Sequence, residues 1–555
     1  MAADSSGSRC LVEGSGRAVS FYDLIQEAID STLGTPGQVS SLRAFLPELL
    51  ISATIVLMLL VRTVSTGRRS AAFTLMLAGS LAALCFAAPW HYLQPAASLT
   101  SGANESVPIF TGMLVYDKFS IYMRGLLLAF AVLFALYTRL SGTPERDDAT
   151  DFYVLVLGAT LGMCLMVSAN HMMIVFLGVE MASVPAYALS GLLKHRRTSS
   201  EAALKFAVFG GATAGVMLYG ISLLAGALGS AHLPTMAVQL ATMIQSGAAE
   251  PRTLVLVLGG LMVMVGLAFK LSAVPFHFWA PDVFEGATAE VAAFLSVASK
   301  AAALGLLIRL AIGLGDAPGT LSASLAPART YIAGLVMLLA AVTCTYGNLA
   351  AYGQSNIKRL MAYSTIAHAG YMMMPVAAAV VLTGTSREDA ARAVAGAAFY
   401  AAIYLFMNLA AFAAAAFLRN KLASEQIDDY AGLIRRSPAL AICFSVVLFS
   451  LVGMPPLAGF SAKFAAFAPL ADAGLVALLV IAVLNTVLSL FYYLRVIRVM
   501  VFVPEREGRP APEIPLASLQ GLYYLVLTIP IVVFGVFWNG LFQWAQAAAS
   551  PLFGL

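Results

Sequence analysis

Charge is what this sequence has least of. Only 11% of its 555 residues are Asp, Glu, Lys or Arg, while 60% are hydrophobic, well above the roughly 45–50% of a soluble chain. So little polar surface excludes a water-soluble multidomain protein and implies a polytopic membrane protein. Charge of one sign is also missing. The net charge is +4, and the basic residues are spread over short loops instead of forming a stripe, which argues against nucleic acid as a partner. Cysteine is scarce. Cys10, Cys85, Cys164, Cys344 and Cys443 are scattered with no CxxC or Cys/His spacing, so they read as small core residues and no metal or cluster is expected here. A GxGxxG after a strand, a Walker loop and a Ser/His/Asp arrangement are all lacking, so no redox or nucleotide chemistry is expected of the chain itself.

What the sequence has in quantity is apolar runs long enough to cross a ~30 Å hydrocarbon core. They fall at about 44–64, 71–93, 117–139, 152–169, 171–193, 201–228, 253–276, 288–312, 330–353, 358–383, 393–418, 439–471, 472–500 and 518–546. The expected fold is therefore an all-α membrane protein of about 14 transmembrane helices. If residues 1–43 lie outside, the inside loops collect basic residues from Arg62 to Arg509, including Lys194, Arg196, Arg197, Lys358, Arg359, Arg419 and Lys421. The outside connections hold mainly Arg252, Arg329, Arg387 and Arg392, a bias that puts both termini outside the cytoplasm. The first 43 residues are polar and lack a cleavable signal pattern. Within them Phe21, Leu24, Ile25, Ala28 and Ile29 recur at helical spacing, which suggests a short surface helix.

Against that background a few charges stand out. Four of the eight lysines, Lys205, Lys270, Lys300 and Lys463, sit in otherwise apolar stretches, and Glu180 reads as the only acidic residue deep in a span. A charge at mid-bilayer costs about 2.5–3.5 kcal/mol on insertion scales and usually marks an ion path. For Lys205 an ordinary i,i+4 pair with Glu201 near the interface is the competing reading. Lys463 is near enough to a span end to snorkel. An unpaired carboxylate at the depth of Glu180 would be protonated, so a lysine partner is expected for it. His277, two helical turns beyond Lys270 and able to share its face, and His368 fit either a relay or helix packing. His91, His171, His195 and His232 fall at span ends or loops. Prolines interrupt two spans deep in the membrane, at Val274-Pro275 and at Met454-Pro455-Pro456. Broken helices in matching positions of two halves point to an inverted-repeat transporter. The breaks fall in the seventh and twelfth spans, an odd separation of five, which predicts two inverted five-helix repeats. The corresponding regions are 1–43 (polar leader), 44–139, 140–313 (first repeat), 314–500 (second repeat) and 501–555.

The stretches EMASVPAYALSG, LKFAVFGGATAGVMLYGISLL, FKLSAVPFHFWAPDVFEGATAEVAAFLSVASKAA, GNLAAYGQSNIKRLMAYSTIAHAGY and LVGMPPLAGFSAKF resemble the antiporter-like subunits of respiratory complex I, over roughly residues 45–545. The resemblance implies a membrane-arm subunit in a bacterial inner membrane. It would move protons beside other membrane-arm subunits, with NADH, FMN, iron–sulfur clusters and quinone held by those partners. It also implies roles. Glu180 matches the fifth-helix glutamate, Lys270 the seventh-helix lysine coupled to it, Lys205 a nearby sixth-helix lysine, Lys300 the central eighth-helix lysine and Lys463 the lysine ending the charged axis. Glu290 departs from the pattern, because relatives generally carry a small residue or proline there. A cation/proton antiporter or membrane-bound hydrogenase subunit, and a scaffold without an ion path, are the alternatives.

Overall fold

Backbone N–H and C=O groups in hydrocarbon have to bond within the chain, and the apolar runs do so as helices. The computed structural model describes residues 40–64, 69–87, 106–145, 148–248, 250–504 and 514–555, together with 29, 32 and 33. The expected leader helix over 21–30, with Cys10 and His91, lies almost entirely outside the described residues. In chain order the elements are α1 (Leu46–Val64), α2 (Arg69–Ala87), β1 (Val107–Ile109), β2 (Leu114–Tyr116), α3 (Lys118–Ser141), α4 (Ala149–Ser168), α5 (Met172–Ser190) and α6 (Arg197–Leu228). They continue as α7 (Leu233–Gln245), α8 (Thr253–Leu271), α9 (Trp279–Gly286), α10 (Ala289–Gly315), α11 (Ala326–Ala351), α12 (Ile357–Leu382) and α13 (Arg387–Leu422). The last five are α14 (Pro438–Val452), α15 (Ala458–Asp472), α16 (Val476–Phe502), α17 (Leu519–Val536) and α18 (Asn539–Ala549).

Twelve helices among the described residues are long and apolar enough to cross a membrane, and two shorter ones, Ala71–Ala87 and Pro438–Val452, are apolar as well. The chain is a multi-pass helical membrane protein. Three details differ from the sequence reading. The expected run over 518–546 divides at Phe537–Trp538 into α17 and α18. The connection before α8 contains a further helix, α7. A small antiparallel hairpin, β1–β2, turns through Phe110, Thr111 and Gly112 at positive φ and packs on Ala44 and Leu165. Its three-residue strands are too short for a periodicity signal.

Three helices form the interior. The apolar windows of α10, α12 and α13 are 100%, 94% and 94% buried, against 28% for α6 and 33% for α16. The outer helices keep an apolar stripe outward, as with Val480, Leu484, Val487 and Phe491 of α16, at the 3–4 residue spacing of one helix face. Cys164 and Cys344 are buried as expected, whereas Cys443 is half-buried and Cys85 is exposed on the outward face of α2.

Two buried ion pairs fasten the first helices to the interior. Asp117 caps α3 through Ser120 N at 2.7 Å and accepts both terminal nitrogens of Arg309 at 2.6 Å, while Arg309 Nε donates to Val167 O. Arg124 of α3 donates to Glu48 of α1 at 3.1 Å. Burial opposes the charge on Asp117, but the Arg309 guanidinium and the Ser120 hydrogen bonds hold its carboxyl below the usual carboxylate range. The pair's contribution is therefore present above the ordinary aspartate range and is lost as pH falls through the depressed value. Asp117→Asn should destabilise the protein by about 3–5 kcal/mol, because Arg309 is left buried without its counter-charge. Thermal unfolding of the purified protein in detergent at neutral pH checks this, and the gap between variant and parent should narrow in acid.

Candidate functional site

The helix over α8 stops at Leu271 because Ser272 takes a left-handed conformation, φ +55°, as its C-cap. Ala273 N returns to Ala268 O at 2.7 Å, the C″ to C3 bond of a Schellman ending. Residues 273–278 then turn past Pro275, and the chain resumes as α9. The second break repeats this geometry. α14 stops at Val452, Gly453 caps it at φ +89°, Met454 N returns to Phe449 O at 3.1 Å, and the chain resumes as α15 after Pro455-Pro456.

Each break leaves carbonyls in the membrane interior, and each is met by a lysine. Lys300 of α10 donates to Leu271 O at 2.8 Å and to Ser272 Oγ at 2.7 Å. Lys463 of α15 donates to Val452 O at 2.8 Å, with its ammonium 4.7 Å from the centre of the Tyr371 ring. Leu271 and Val452 are the last helical residues before their caps, so the two ammonium groups sit at equivalent points. Both face the negative end of a half-helix, where a cation is favoured. The lysines reach these points differently. In the first break the lysine comes from the following helix, and in the second it comes from the resumed half of the same span.

Lys270, Lys300 and Lys463 are 3%, 1% and 4% exposed, so none points at lipid. Lys270 ends α8 beside the break and makes no hydrogen bond or ion pair with any described residue; Glu180 of α5 and Lys300 lie within its electrostatic reach. Glu180 is half-buried and not in contact with a lysine. Glu48, Asp117 and Glu290 are each more buried than Glu180, but they lie at helix starts and not midway along a span. Lys205 belongs to a partly exposed ion-pair group that the other three lysines do not join. It pairs with Glu201 at 2.8 Å and Asp282 at 2.7 Å with a side chain 38% exposed, and Asp282 is shared with Arg359 at 2.8 Å. His277 is buried against Phe278 and Tyr346, but in the turn between α8 and α9 instead of on a helical face continuous with Lys270. His171 caps α5 and pairs across to His232, which holds Asn170 and Thr235, while His195 lies in the exposed α5–α6 loop.

Between Lys300 and Lys463 lies a set of polar side chains of which the sequence reading names only His368. Ser296, one turn before Lys300, is 2.9 Å from Thr365 Oγ1 and 3.2 Å from Tyr404 OH. Asn408 donates to Tyr404 OH at 2.6 Å and to Ser296. The Tyr404 ring lies 5.2 Å from His368, whose Nδ1 is 2.8 Å from Tyr400 OH and whose Nε2 is 3.4 Å from Tyr493 OH. Tyr493 bonds Ser364, and the Tyr371 ring lies 5.8 Å from His368 and under Lys463. These hydroxyl, imidazole and amine groups can each accept and release a proton. Only the packing of α10, α12, α13 and α16 brings them together.

A helical membrane bundle with two broken spans, each closed by a buried lysine, defines an antiporter-like subunit, and the chain belongs to that family: residues 169–489 match the one described as "NADH:quinone oxidoreductase/Mrp antiporter, TM". It is 37% identical over 533 residues to NADH-quinone oxidoreductase subunit N 2 of Sorangium cellulosum, covering 93% of this chain and 99% of that protein. Among solved structures, a chain of respiratory complex I from Thermus thermophilus with bound aureothin aligns with TM-score 0.68 and 29% identity, over 89% of this chain and 97% of that one. A chain of the archaeal membrane-bound sulfane sulfur reductase shares the fold at TM-score 0.77 and 21% identity, over 93% of this chain and 98% of that one.

Gly453 is the position where the second site depends on having no side chain. A Cβ there would lie 2.9 Å from Lys463 Cδ, at a left-handed φ. Gly453→Ala should cost about 1–2 kcal/mol for the conformation alone and push Lys463 off the Val452 carbonyl. Thermal unfolding gives the first effect. The second should appear as faster amide exchange in residues 449–454.

Proposed function

We propose that this chain is a membrane-arm subunit, of the subunit N type, of a proton-pumping NADH:quinone oxidoreductase, and that its buried lysines form the proton path. The observation that carries this reading is the pair of equivalent lysine-closed breaks, with polar side chains from Ser296 to Tyr371 lying between them. Redox energy comes from partner subunits, which hold NADH, FMN, iron–sulfur clusters and quinone. An ionised Glu180 stabilises the ammonium form of Lys270. When a change in neighbouring subunits weakens that interaction, the proton moves to Lys300, then by Ser296, Thr365, Tyr404 and His368 to Lys463, and leaves on the far side. Lys205 acts at the edge of this path through Asp282, and His277 borders it beside the first break.

The same reading makes α4–α10 and α11–α16 two inverted five-span repeats, about residues 140–313 and 314–500. The matched caps at Ser272 and Gly453 support it. The basic residues Lys194, Arg196, Arg197, Lys421, Arg435 and Arg436 fall in connections that would lie on one side of the membrane, which supports that side as cytoplasmic and both termini as periplasmic. A cation/proton antiporter of the same fold is the second reading, and 37% identity to a subunit N over nearly the whole chain favours the first.

Lys270→Ala should let the complex assemble yet slow proton pumping about tenfold or more, read as the pH gradient across membrane vesicles alongside quinone reduction. Wild-type pumping would remove Lys270 from the path. Glu180→Gln and Lys270→Met should be non-additive on pumping rate in a double-mutant cycle, and strictly additive losses would mean the two act independently.

A further inference from the structure

Glu290 lies in the first turn of α10 with no exposed surface, and neither carboxylate oxygen meets a hydrogen-bond donor. Its nearest counter-charge, Arg419 of α13, is 3.6 Å away. Burying a carboxylate without hydrogen bonds is costly unless the group takes up a proton or serves a purpose. The groups facing it come from every side. Arg419 is 18% exposed and so reaches the surface. Lys358 of α12 is buried, pairs with Glu425 at 2.9 Å and donates to Ala287 O and Glu285 O, just ahead of α10. Tyr137 of α3 is near but spends its hydroxyl on Phe412 O. Arg419 and Lys358 thus bring two basic side chains to the buried end of α10 where Glu290 sits.

From this cluster two helix faces lead inward. On α12, Thr365 is seven residues beyond Lys358, and on α13, Asn408 is eleven before Arg419. Both spacings return to the same face of a 3.6-residue helix. Thr365 and Asn408 then converge on Ser296, one turn from Lys300. Asn408 Oδ1 is a further buried acceptor with no donor. Unmatched acceptors thus lie at both ends of the stretch between the surface and Lys300.

We propose that Glu290 is a proton-loading carboxyl for Lys300, a role that rests on the lysine path proposed above. The Glu290 carboxylate takes a proton from water at the α10 N-terminal face beside Arg419. The carboxyl O–H bond then breaks as the proton passes along the Thr365, Tyr404 and Ser296 hydroxyls. A new N–H bond forms on the neutral Lys300 amine, and Glu290 returns to a carboxylate.

The test uses vesicles carrying the whole complex, with pumping and quinone reduction followed as the pH of the supplying side is varied. Glu290→Gln, which keeps size and shape, should slow pumping about tenfold or more and flatten the fall of rate with rising pH. Glu290→Asp should recover most of the rate. Wild-type rate and pH profile in Glu290→Gln, with pumping lost in Lys300→Ala, would overturn the loading role alone. Intact pumping in both variants would overturn the lysine path as well.

Discussion

A carbonyl set free inside a bilayer has no water to bond, and the molecule is organised around two places where this happens. At Leu271 and at Val452 a helix ends within the span, and in both a lysine ammonium takes the last carbonyl. The lysine and the break need each other. An ammonium in hydrocarbon is tolerable only where concentrated acceptors and a half-helix dipole face it, and an open helix end is tolerable only where a strong donor reaches it. The Schellman endings fix where that donor must come, and the small residues near them let it arrive. Gly459 approaches Ser450 O so closely that a Cβ would sit 1.7 Å from it.

The interior helices follow from the same need. Groups that can exchange protons must be shielded from lipid on all sides, and α10, α12 and α13 provide that shield by being buried along almost their whole apolar length. Alanine is the commonest residue of α13, so neighbouring backbones come close, and its 36 residues reach about 54 Å at 1.5 Å per residue. It therefore spans beyond the hydrocarbon and carries Arg419 to the aqueous edge while Asn408 stays inside.

The parts of this design that the sequence makes visible are those that offend against their surroundings. Lys270, Lys300 and Lys463 are charges in apolar runs, and Pro275 and Pro455-Pro456 are prolines in helices, so each stands out without a structure. Lys205 is harder to read because α6 runs for 32 residues, and a lysine inside its apolar stretch is still near enough to its start to meet Glu201 and Asp282. The burial of Glu48, Asp117, Glu290 and Lys358 is invisible in the sequence for the opposite reason. They sit at span ends, where charge is ordinary, and only tertiary packing buries them. Ser296, Thr365, Tyr404, Asn408 and Tyr493 are unremarkable membrane-helix residues taken singly, and their convergence from four helices leaves no trace in the local pattern. The hairpin and the division of the last run were missed because short turns leave no periodic signal.

The two lysines differ in what holds them to their carbonyls. Lys463 belongs to the resumed half of the span it closes, so a rigid movement of that span keeps Lys463 and Val452 in register. Lys300 belongs to α10, which follows the resumed half α9. A slide of α10 along α8 by less than one turn, with no helix unwound, would therefore take Lys300 off Leu271 and leave the first break open while the second stays shut. The first site is thus built to respond to shear between neighbouring helices, and the second only to a change within its own span. Two sites with matching geometry are in this way given unequal mechanical sensitivity by the attachment point of a single side chain.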